Sequence, residues 1–204
     1  LSSSGPLRAS YREGVIHIEQ AHLTGAQTDL RVGGSLRLTG PPAARALNVR
    51  AEGEVNLALV RTLNPDLAGS GQVVLEAALA GTLQRPQLAG RAEFRKGQIA
   101  LVDFPTGLSE MQGSVKFDVR RMQIEKLTAE VGGGTMSLSG SITLGDAGGP
   151  PLLRLRADAQ GVRLRYPEGT SSVLDAALQL TGTTEQSTLS GDVSVLRGRF
   201  APRF

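Results

Sequence analysis

Apolar and polar side chains alternate along much of this chain. Every second residue is apolar in residues 114–120, and the same alternation returns at 136–144, 153–158 and 162–166. Because successive side chains of a β-strand point to opposite faces of the sheet, this period of two predicts strands that are buried on one face only.

Strand-like runs recur about every 8 to 12 residues and are separated by clusters of Gly, Pro, Asn or Asp, a spacing typical of an all-β chain. The sequence contains about fourteen such runs. Residues 30–32 and 35–38 are predicted as separate strands, and so are residues 91–94 and 98–101.

One short segment departs from the alternation. In residues 56–63 the apolar side chains have helical spacing, Asn56 can cap the first turn, and Asn64 and Pro65 stop the run. We therefore expect at most one short helical turn in an otherwise all-β chain.

Two parts of the chain are similar to each other. Residues 81–97 align without gaps with residues 182–198, an offset of 182 − 81 = 101, and residues 33–40 align with 133–140 at an offset of 100. These offsets define a repeat of about one hundred residues, which is much longer than the repeats of helical or leucine-rich solenoids. Each copy must therefore contain several strands. Residues 1–204 are interpreted as a single elongated β fragment with approximate internal repeats at 14–100 and 115–204.

The composition favours a thin core. Aromatic residues make up 3% of the chain and Trp is absent, whereas large rings supply much of the buried area of compact cores. The formal net charge is +3, with basic residues interspersed among acidic ones. Since platforms for stacking bases are also missing, nucleic acid is not expected as a partner. The absence of cysteine excludes disulfides and thiolate chemistry.

A local group of basic residues falls on the polar sides of two successive predicted strands: Arg154, Arg156, Arg163 and Arg165. A solvated outer face that resists aggregation is the simpler interpretation. A contact for anionic lipid headgroups or for an acidic partner is the alternative.

No group of residues has the pattern of a catalytic or metal site. His17 and His22 have no nearby third ligand, so they make a weak metal site. The glycine clusters at 69–71 and 132–134 lack the lysine and the helix that a phosphate-binding loop requires, and are interpreted as tight turns or bulges. We expect no enzymatic activity, no metal and no cofactor.

No window of the sequence reaches the roughly 20 consecutive apolar residues of a membrane-spanning helix, and no signal peptide opens it. The sequence begins at Leu1 rather than at Met. We therefore expect a part of a longer protein, whose membrane anchor lies outside these residues.

Several segments resemble the TamB family of translocation and assembly modules, which belongs with the AsmA-like, bridge-type lipid transfer proteins of diderm bacteria. The similarity lies in a pattern of Gly-Thr-Leu, then Pro-x-Leu-x-Gly, then two strands separated by Gly. The segments that carry it are residues 63–69, 81–90, 97–99, 122–127 and 133–140.

This resemblance implies an elongated, curved antiparallel β-sheet, shaped like a taco or gutter, with an apolar interior groove. It also implies a periplasmic protein that is anchored in the inner membrane and moves phospholipids toward the outer membrane. A barrel protein of the Omp85 type, TamA-like, is the implied partner in outer-membrane protein assembly or secretion.

Under this hypothesis phospholipid acyl chains occupy the groove while the headgroups stay in water at its rim. The alternating apolar residues are the predicted lining. They are Phe94, Ile99, Leu101, Val115, Phe117, Val119, Ile124, Met136, Leu138, Ile142, Leu144, Leu155, Val162, Leu164, Leu178, Leu180, Val193 and Val195.

Two alternatives remain open at this point. The same side chains could form the closed core of a purely structural β-solenoid or sandwich protein of the envelope or cell surface. A β-helical enzyme acting on polysaccharide would require clustered carboxylates and aromatic sugar platforms, which the sequence lacks.

Overall fold

The computed structural model describes residues 2–3, 8–25, 27–41, 45–101, 106–145, 149–165 and 170–200. Within these ranges the chain forms thirteen strands and one short helical segment. The strands are β1 (Ser2–Ser3), β2 (Arg8–Arg12), β3 (Val15–Gly25), β4 (Thr28–Arg37), β5 (Ala46–Asn56), β6 (Leu67–Thr82), β7 (Pro86–Leu101), β8 (Leu108–Phe117), β9 (Arg121–Val131), β10 (Gly134–Thr143), β11 (Leu152–Leu164), β12 (Thr170–Thr183) and β13 (Ser187–Phe200).

The strands form one antiparallel sheet in nearly sequential order. The hydrogen-bonded path runs β1-β3-β4-β5-β6-β7-β8-β9-β10-β11-β12-β13, and β2 also pairs with β3. The path does not close on itself within the described ranges, since β1 and β13 each have one neighbour along it. The predicted all-β antiparallel class with a single short helical turn is confirmed.

The helical segment lies between β5 and β6. A 3-10 turn, Leu57–Leu59, continues into α1, Val60–Leu63, and Asn64 ends the helix with its backbone N–H donating to the Val60 carbonyl. The α-helical part begins after Leu59, which supplies no side-chain cap, and the side-chain amide of Asn56, just before the 3-10 turn, donates to the Gln27 Oε1 at 3.2 Å.

Two predicted interruptions lie inside continuous strands. Gly34, with a φ of +141°, lies inside β4, which is continuous through residues 30–37, and Lys96 has a φ of +52° within β7. Residues 69–71 likewise lie inside β6 rather than in a turn. The predicted tight turn at 132–134 is confirmed, with positive φ angles at Gly132 and Gly133.

The chain divides into two compact units. Unit 1 contains Leu1–Asn56, Gln72–Glu93 and Lys116–Val119, and unit 2 contains Leu57–Gly71, Phe94–Val115 and Arg120–Phe204. The paired residues that join β3 to β6 belong to unit 1, and those that join β9 to β13 belong to unit 2.

The register of β3 and β4 within unit 1 returns in β9 and β10 of unit 2. Ile16 pairs with Leu36, and Met122 pairs with Ile142, so both members shift by 106 residues (122 − 16 = 142 − 36 = 106). The irregularity between Ile18 and Ala21 of β3 also returns at the same shift, between 124 and 127 of β9. Each unit thus contains the same pairing pattern, bulge included.

The hairpin that follows is repeated at a shift of 101. Arg85 donates its backbone N–H to the Thr82 Oγ1 at 3.1 Å, and Gln186 donates to the Thr183 Oγ1 at 3.1 Å. In both turns the Thr backbone N–H donates back to the carbonyl of the residue three positions on. The sheet register also aligns Gly34 with Gly140, a shift of 106, rather than with Gly134 as the sequence alignment at 100 predicted.

Candidate functional site

One face of the sheet formed by β9 to β13 is apolar. In antiparallel strands, directly paired residues point to the same side of the sheet. Gly140 pairs with Leu155, Leu155 with Leu180, and Leu180 with Leu189, so one row of side chains crosses four strands. We call this surface of β9 to β13 the apolar face.

The pairing register places most of the predicted lining residues on the apolar face. The neighbouring rows are also mostly aliphatic residues and glycines, and their polar members, Ser172, Ser187 and Thr170, are uncharged. The predicted lining residues on this face are Ile124, Met136, Leu138, Ile142, Leu155, Val162, Leu164, Leu178, Leu180, Val193 and Val195.

Four further predicted residues lie on the two preceding strands. Phe94 and Ile99 of β7 and Val115 and Phe117 of β8 have half-buried side chains. Alternation along β8 places Val115 and Phe117 on the same side of that strand as Met111.

Two predicted residues lie outside the strands. β8 ends at Phe117 and β10 ends at Thr143, so Val119 and Leu144 follow the strand ends and are exposed. The Leu144 backbone N–H donates to the Arg120 carbonyl at 2.8 Å. The prediction that these two residues lie in strands was wrong. The apolar–polar alternation of the sequence continues beyond the last residue that pairs with a neighbouring strand. The side chain of Leu101 lies outside the described residues.

The sequence prediction missed several members of the apolar face. Many of them are alanines or leucines whose strands contain a bulge, so a simple period of two does not follow the face along the whole strand. They are Met122, Leu127, Ala129, Val131, Leu153, Ala157, Ala159, Leu174, Ala176, Leu189 and Phe200.

Met111 of β8 is the most buried large side chain among the described residues, with 1% of its surface exposed. Its strand begins at Leu108, earlier than the predicted start at residue 114. The alternation of apolar residues does extend back to Met111, which precedes Val115 and Phe117 at even spacing. It is interrupted by Gly113, which has no side chain to continue the pattern.

Unit 1 has a matching apolar face, which the predicted lining did not include. Leu36 pairs with Leu47 and with Ile16, and Val49 pairs with Leu79. Further apolar residues complete these rows: Ile18, Ala21, Leu23, Leu30, Val32, Ala51, Val55, Val73, Leu75 and Ala77.

The opposite face of β9 to β13 is polar. Ser137 pairs with Asp158 and Ser141 pairs with Arg154, and Arg156 pairs with Ser139 on one side and Gln179 on the other. No Asp, Glu, Lys or Arg occupies a paired position of the apolar face in the described part of these strands. The arginines at 154, 156, 163 and 165 are exposed.

Arg156 and Asp158 form a bidentate ion pair on this polar face. Arg156 Nε donates to Asp158 Oδ2 and Arg156 Nη2 donates to Asp158 Oδ1, both at 2.9 Å. The hydrogen bond from Arg156, with its charge, lowers the pKa of the Asp158 carboxyl below its ordinary value, and the same bond raises the pKa of Arg156.

Exposure of the apolar face increases toward β13. Val162 of β11 is 5% exposed, residues of β10 and β12 are half-buried, and Val195 of β13 is 65% exposed. A sealed core would bury most of these aliphatic side chains below a tenth of their surface. The apolar face is therefore accessible to an apolar ligand, and no titratable side chain lies on it.

No described group of His, Asp or Glu side chains is arranged to hold a metal ion. Within the same residues, no helix is both long and apolar enough to cross a membrane.

Residues 125–202 match the family model of the TamB C-terminal domain. Over this segment the chain is TamB-like. The resemblance to TamB predicted from sequence is confirmed there, and the matched segment includes most of the apolar face. No curated protein and no solved structure matches the chain.

TamB proteins are envelope proteins that span the periplasm and associate with TamA in the outer membrane. The match to the TamB domain suggests a role in the assembly of envelope proteins or in lipid transport.

Proposed function

We propose that the apolar face of the TamB-like segment holds phospholipid acyl chains and conducts them between the inner and outer membranes. The observation that supports this proposal is an uncharged surface five strands wide that stays open to solvent along β12 and β13. With neighbouring strands about 4.8 Å apart, five strands span about 19 Å. Acyl chains can lie on such a surface without meeting a charged group.

The free energy available from this contact is large. Burial of one methylene group contributes about 0.8 kcal/mol, so a long acyl chain would gain roughly 10 kcal/mol if fully buried and about half of that on a one-sided surface. Because this energy is spread evenly over many weak contacts, an acyl chain can slide along the face without a deep local minimum. Continuity of the apolar rows then matters more than any one residue.

The residue types favour acyl chains of mixed shape. Ala157 lies in one row and the directly paired Ala159 and Ala176 lie in the next row, between larger aliphatic side chains, which gives the face shallow depressions. Aliphatic side chains have no rigid ring that would select one chain geometry. Ionic headgroups, for which the apolar face has no partner, would stay in water at the rim.

Photocrosslinking in cells tests this proposal with matched positions. A photoreactive amino acid is placed at Met136, Leu138 or Ile142 of β10, which lie on the apolar face, and at Ser137 or Ser139 of the same strand, which lie on the polar face. Lipid conduction requires that phospholipid is captured from the apolar positions and not from the polar ones. Equal capture from both sets would contradict it.

The closed-core alternative makes a different prediction for the same experiment. In a sealed β-solenoid or sandwich, the apolar positions would crosslink to other residues of the chain and to no lipid. The half-buried state of Leu138, Leu178 and Leu180 favours the open interpretation.

We also propose that the full-length protein is anchored in the inner membrane and acts in the periplasm with an Omp85-type, TamA-like barrel. Support for this comes from the TamB family match alone. Affinity purification of the tagged full-length protein after crosslinking in intact cells should recover one outer-membrane barrel protein of this type. Recovery of no barrel protein would count against the partnership and leave the lipid experiment unaffected.

A further inference from the structure

The helical segment of residues 57–63 packs on the sheet through apolar contacts. A Cβ added at Gly97 of β7 would lie 3.4 Å from the Leu57 Cδ2, and a Cβ added at Gly69 of β6 would lie 3.0 Å from the Val60 Cγ1. Leu57 and Val60 are half-buried, whereas Arg61 of the same segment is exposed. All of these residues belong to unit 2. The helical segment therefore covers two glycines of neighbouring strands.

The covered glycines lie on the side of the sheet that carries the apolar face. A Cβ added at Gly113 of β8 would lie 2.9 Å from the Leu127 Cα, so Gly113 is opposite a member of the apolar face. Met111 precedes Gly113 by two residues and points to the same side. The Met111 Cβ is 3.5 Å from a Cβ added at Gly97, which extends this side from β8 to β7. The apolar surface of unit 2 thus continues beneath the helical segment.

The absence of side chains at Gly69 and Gly97 leaves a furrow across β6 and β7, and the helical segment fills it. Leu57 and Val60 supply the aliphatic groups that lie there. Met111, which borders the furrow, is 1% exposed, whereas the uncovered strands β10 and β12 carry mainly half-buried apolar side chains. The helical segment therefore removes from solvent a part of the surface that would otherwise be open to an apolar ligand.

The helical segment has little stability of its own. Its α-helical part, α1, has four residues and no side-chain cap, and it is closed by the backbone bond from the Asn64 N–H to the Val60 carbonyl. Because an isolated helix of this length does not form in water, its position depends on the contacts of Leu57 and Val60 with the sheet. Local opening of such an element costs less free energy than unfolding of the strands beneath it.

We propose that residues 57–63 form a displaceable cover, and that the furrow beneath it binds a phospholipid acyl chain when the cover lifts. In the closed state Leu57 and Val60 take the place of that chain. This role rests on the proposed function, because the acyl chain must reach the furrow along the apolar face. Lifting of the cover then controls whether an acyl chain can pass from β9 and β8 onto β7 and β6.

The test uses the 204-residue chain, which has no cysteine, with Leu57→Cys and Gly97→Cys introduced together. A short, reducible thiol crosslinker holds the cover closed, and a reductant releases it. The probe is a phosphatidylcholine with a photoreactive diazirine in one acyl chain, and mass spectrometry locates its label. The reduced chain should be labelled on β10 and also in the furrow, at residues 67–71 and 97–100. The crosslinked chain should keep the label on β10 and lose the label in the furrow.

Single substitutions give a second measurement without a crosslinker. Leu57→Ser removes an apolar contact between the cover and the furrow and should raise labelling of the furrow roughly fivefold. Arg61→Ser is the matched control at an exposed residue of the same segment and should leave the labelling unchanged. Labelling of β10 should be the same in both variants, and circular dichroism checks that both retain the native sheet.

Three results would overturn the displaceable cover and leave lipid binding by the apolar face standing. These are label on β10 with none in the furrow of the reduced chain, equal furrow labelling of the reduced and crosslinked chains, and equal effects of Leu57→Ser and Arg61→Ser. Failure of the crosslinker to bridge residues 57 and 97 would contradict the closed state itself. Absence of label from β10 would overturn the proposed function, and the cover would fall with it.

Discussion

Gly34 of β4 and Gly140 of β10 meet the same obstacle in the two units. A Cβ at Gly34 would collide with the carbonyl oxygen of Asn48, and a Cβ at Gly140 would collide with that of Arg154. Their φ angles are +141° and +130°, in the region that favours glycine. The two residues have equivalent places in the sheet, since the shift of 106 residues also relates Asn48 to Arg154.

Gly140→Ala should destabilise the fold by at least about 2 kcal/mol, because the added Cβ is strained at this φ and also meets the neighbouring backbone. Urea unfolding followed by circular dichroism measures the change. Gly198→Ala is the matched control, since nothing lies within 4 Å of its Cβ, and it should change the free energy of unfolding by less than about 0.5 kcal/mol. Equal effects of the two substitutions would contradict the assignment of strain to Gly140.

Met111→Ala should lower the free energy of unfolding by about 2 to 5 kcal/mol, because the side chain is 1% exposed and its removal leaves a cavity beside Gly97. Leu189→Ala removes an apolar side chain of similar size that is 64% exposed and should cost far less. Chemical denaturation of both variants gives the comparison. A small loss at Met111 would mean that β8 is not packed as described.

The purified chain should bind a fluorescent apolar probe in its native state, because most side chains of the apolar face are only half-buried. Ile142→Asp should weaken the probe signal, whereas Ser139→Asp on the polar side of the same strand should not. Probe fluorescence titrated against each variant, with circular dichroism to confirm folding, is the measurement. No probe binding to the folded chain would favour the sealed-core alternative.

Val162 is a poorer position for such a test. It is 5% exposed, so Val162→Asp would bury a carboxylate without a partner and should unfold unit 2 or raise the pKa of the new group strongly. Loss of probe binding in this variant would accompany loss of structure. Circular dichroism distinguishes it from Ile142→Asp, which should retain the native spectrum.

The Arg156–Asp158 pair should contribute a small pH-dependent stability. The pKa of Asp158 is lowered in the folded chain, so its contribution is present above the unfolded carboxyl pKa and is lost as the pH falls through the folded value. Carbon-detected NMR titration should show the Asp158 pKa rising toward its ordinary value in Arg156→Gln. An unchanged pKa in that variant would show that Arg156 does not hold the carboxylate in solution.

The alternation of β10 and β11 identified their apolar side from sequence, because each has a long stretch with one residue type on each side. The sequence could not locate the bulge between Ile124 and Leu127 in β9 or the continuity of β4 through Gly34, since both depend on the backbone of a neighbouring strand. The burial of Met111 likewise depends on its packing against Gly97, which is distant in sequence from the alternation of β8.

The difference in residue number between equivalent positions of the two units is 106 up to β5 and 101 from β6 onward. The connection between these strands explains the change. β5 is joined to β6 by residues 57–66, which include α1, and β11 is joined to β12 by residues 165–169, which are five fewer. The ladder pairs Val49–Leu79 and Leu155–Leu180 still correspond across this change of shift, whereas the irregularity between Ala159 and Val162 has no counterpart in the ladder of β5 and β6. An insertion of one residue within a strand would instead turn every later side chain of that strand to the opposite surface. Differences in length should thus accumulate in the connections between strands. There a whole helical turn can be gained or lost while apolar and polar side chains keep their own faces of the sheet.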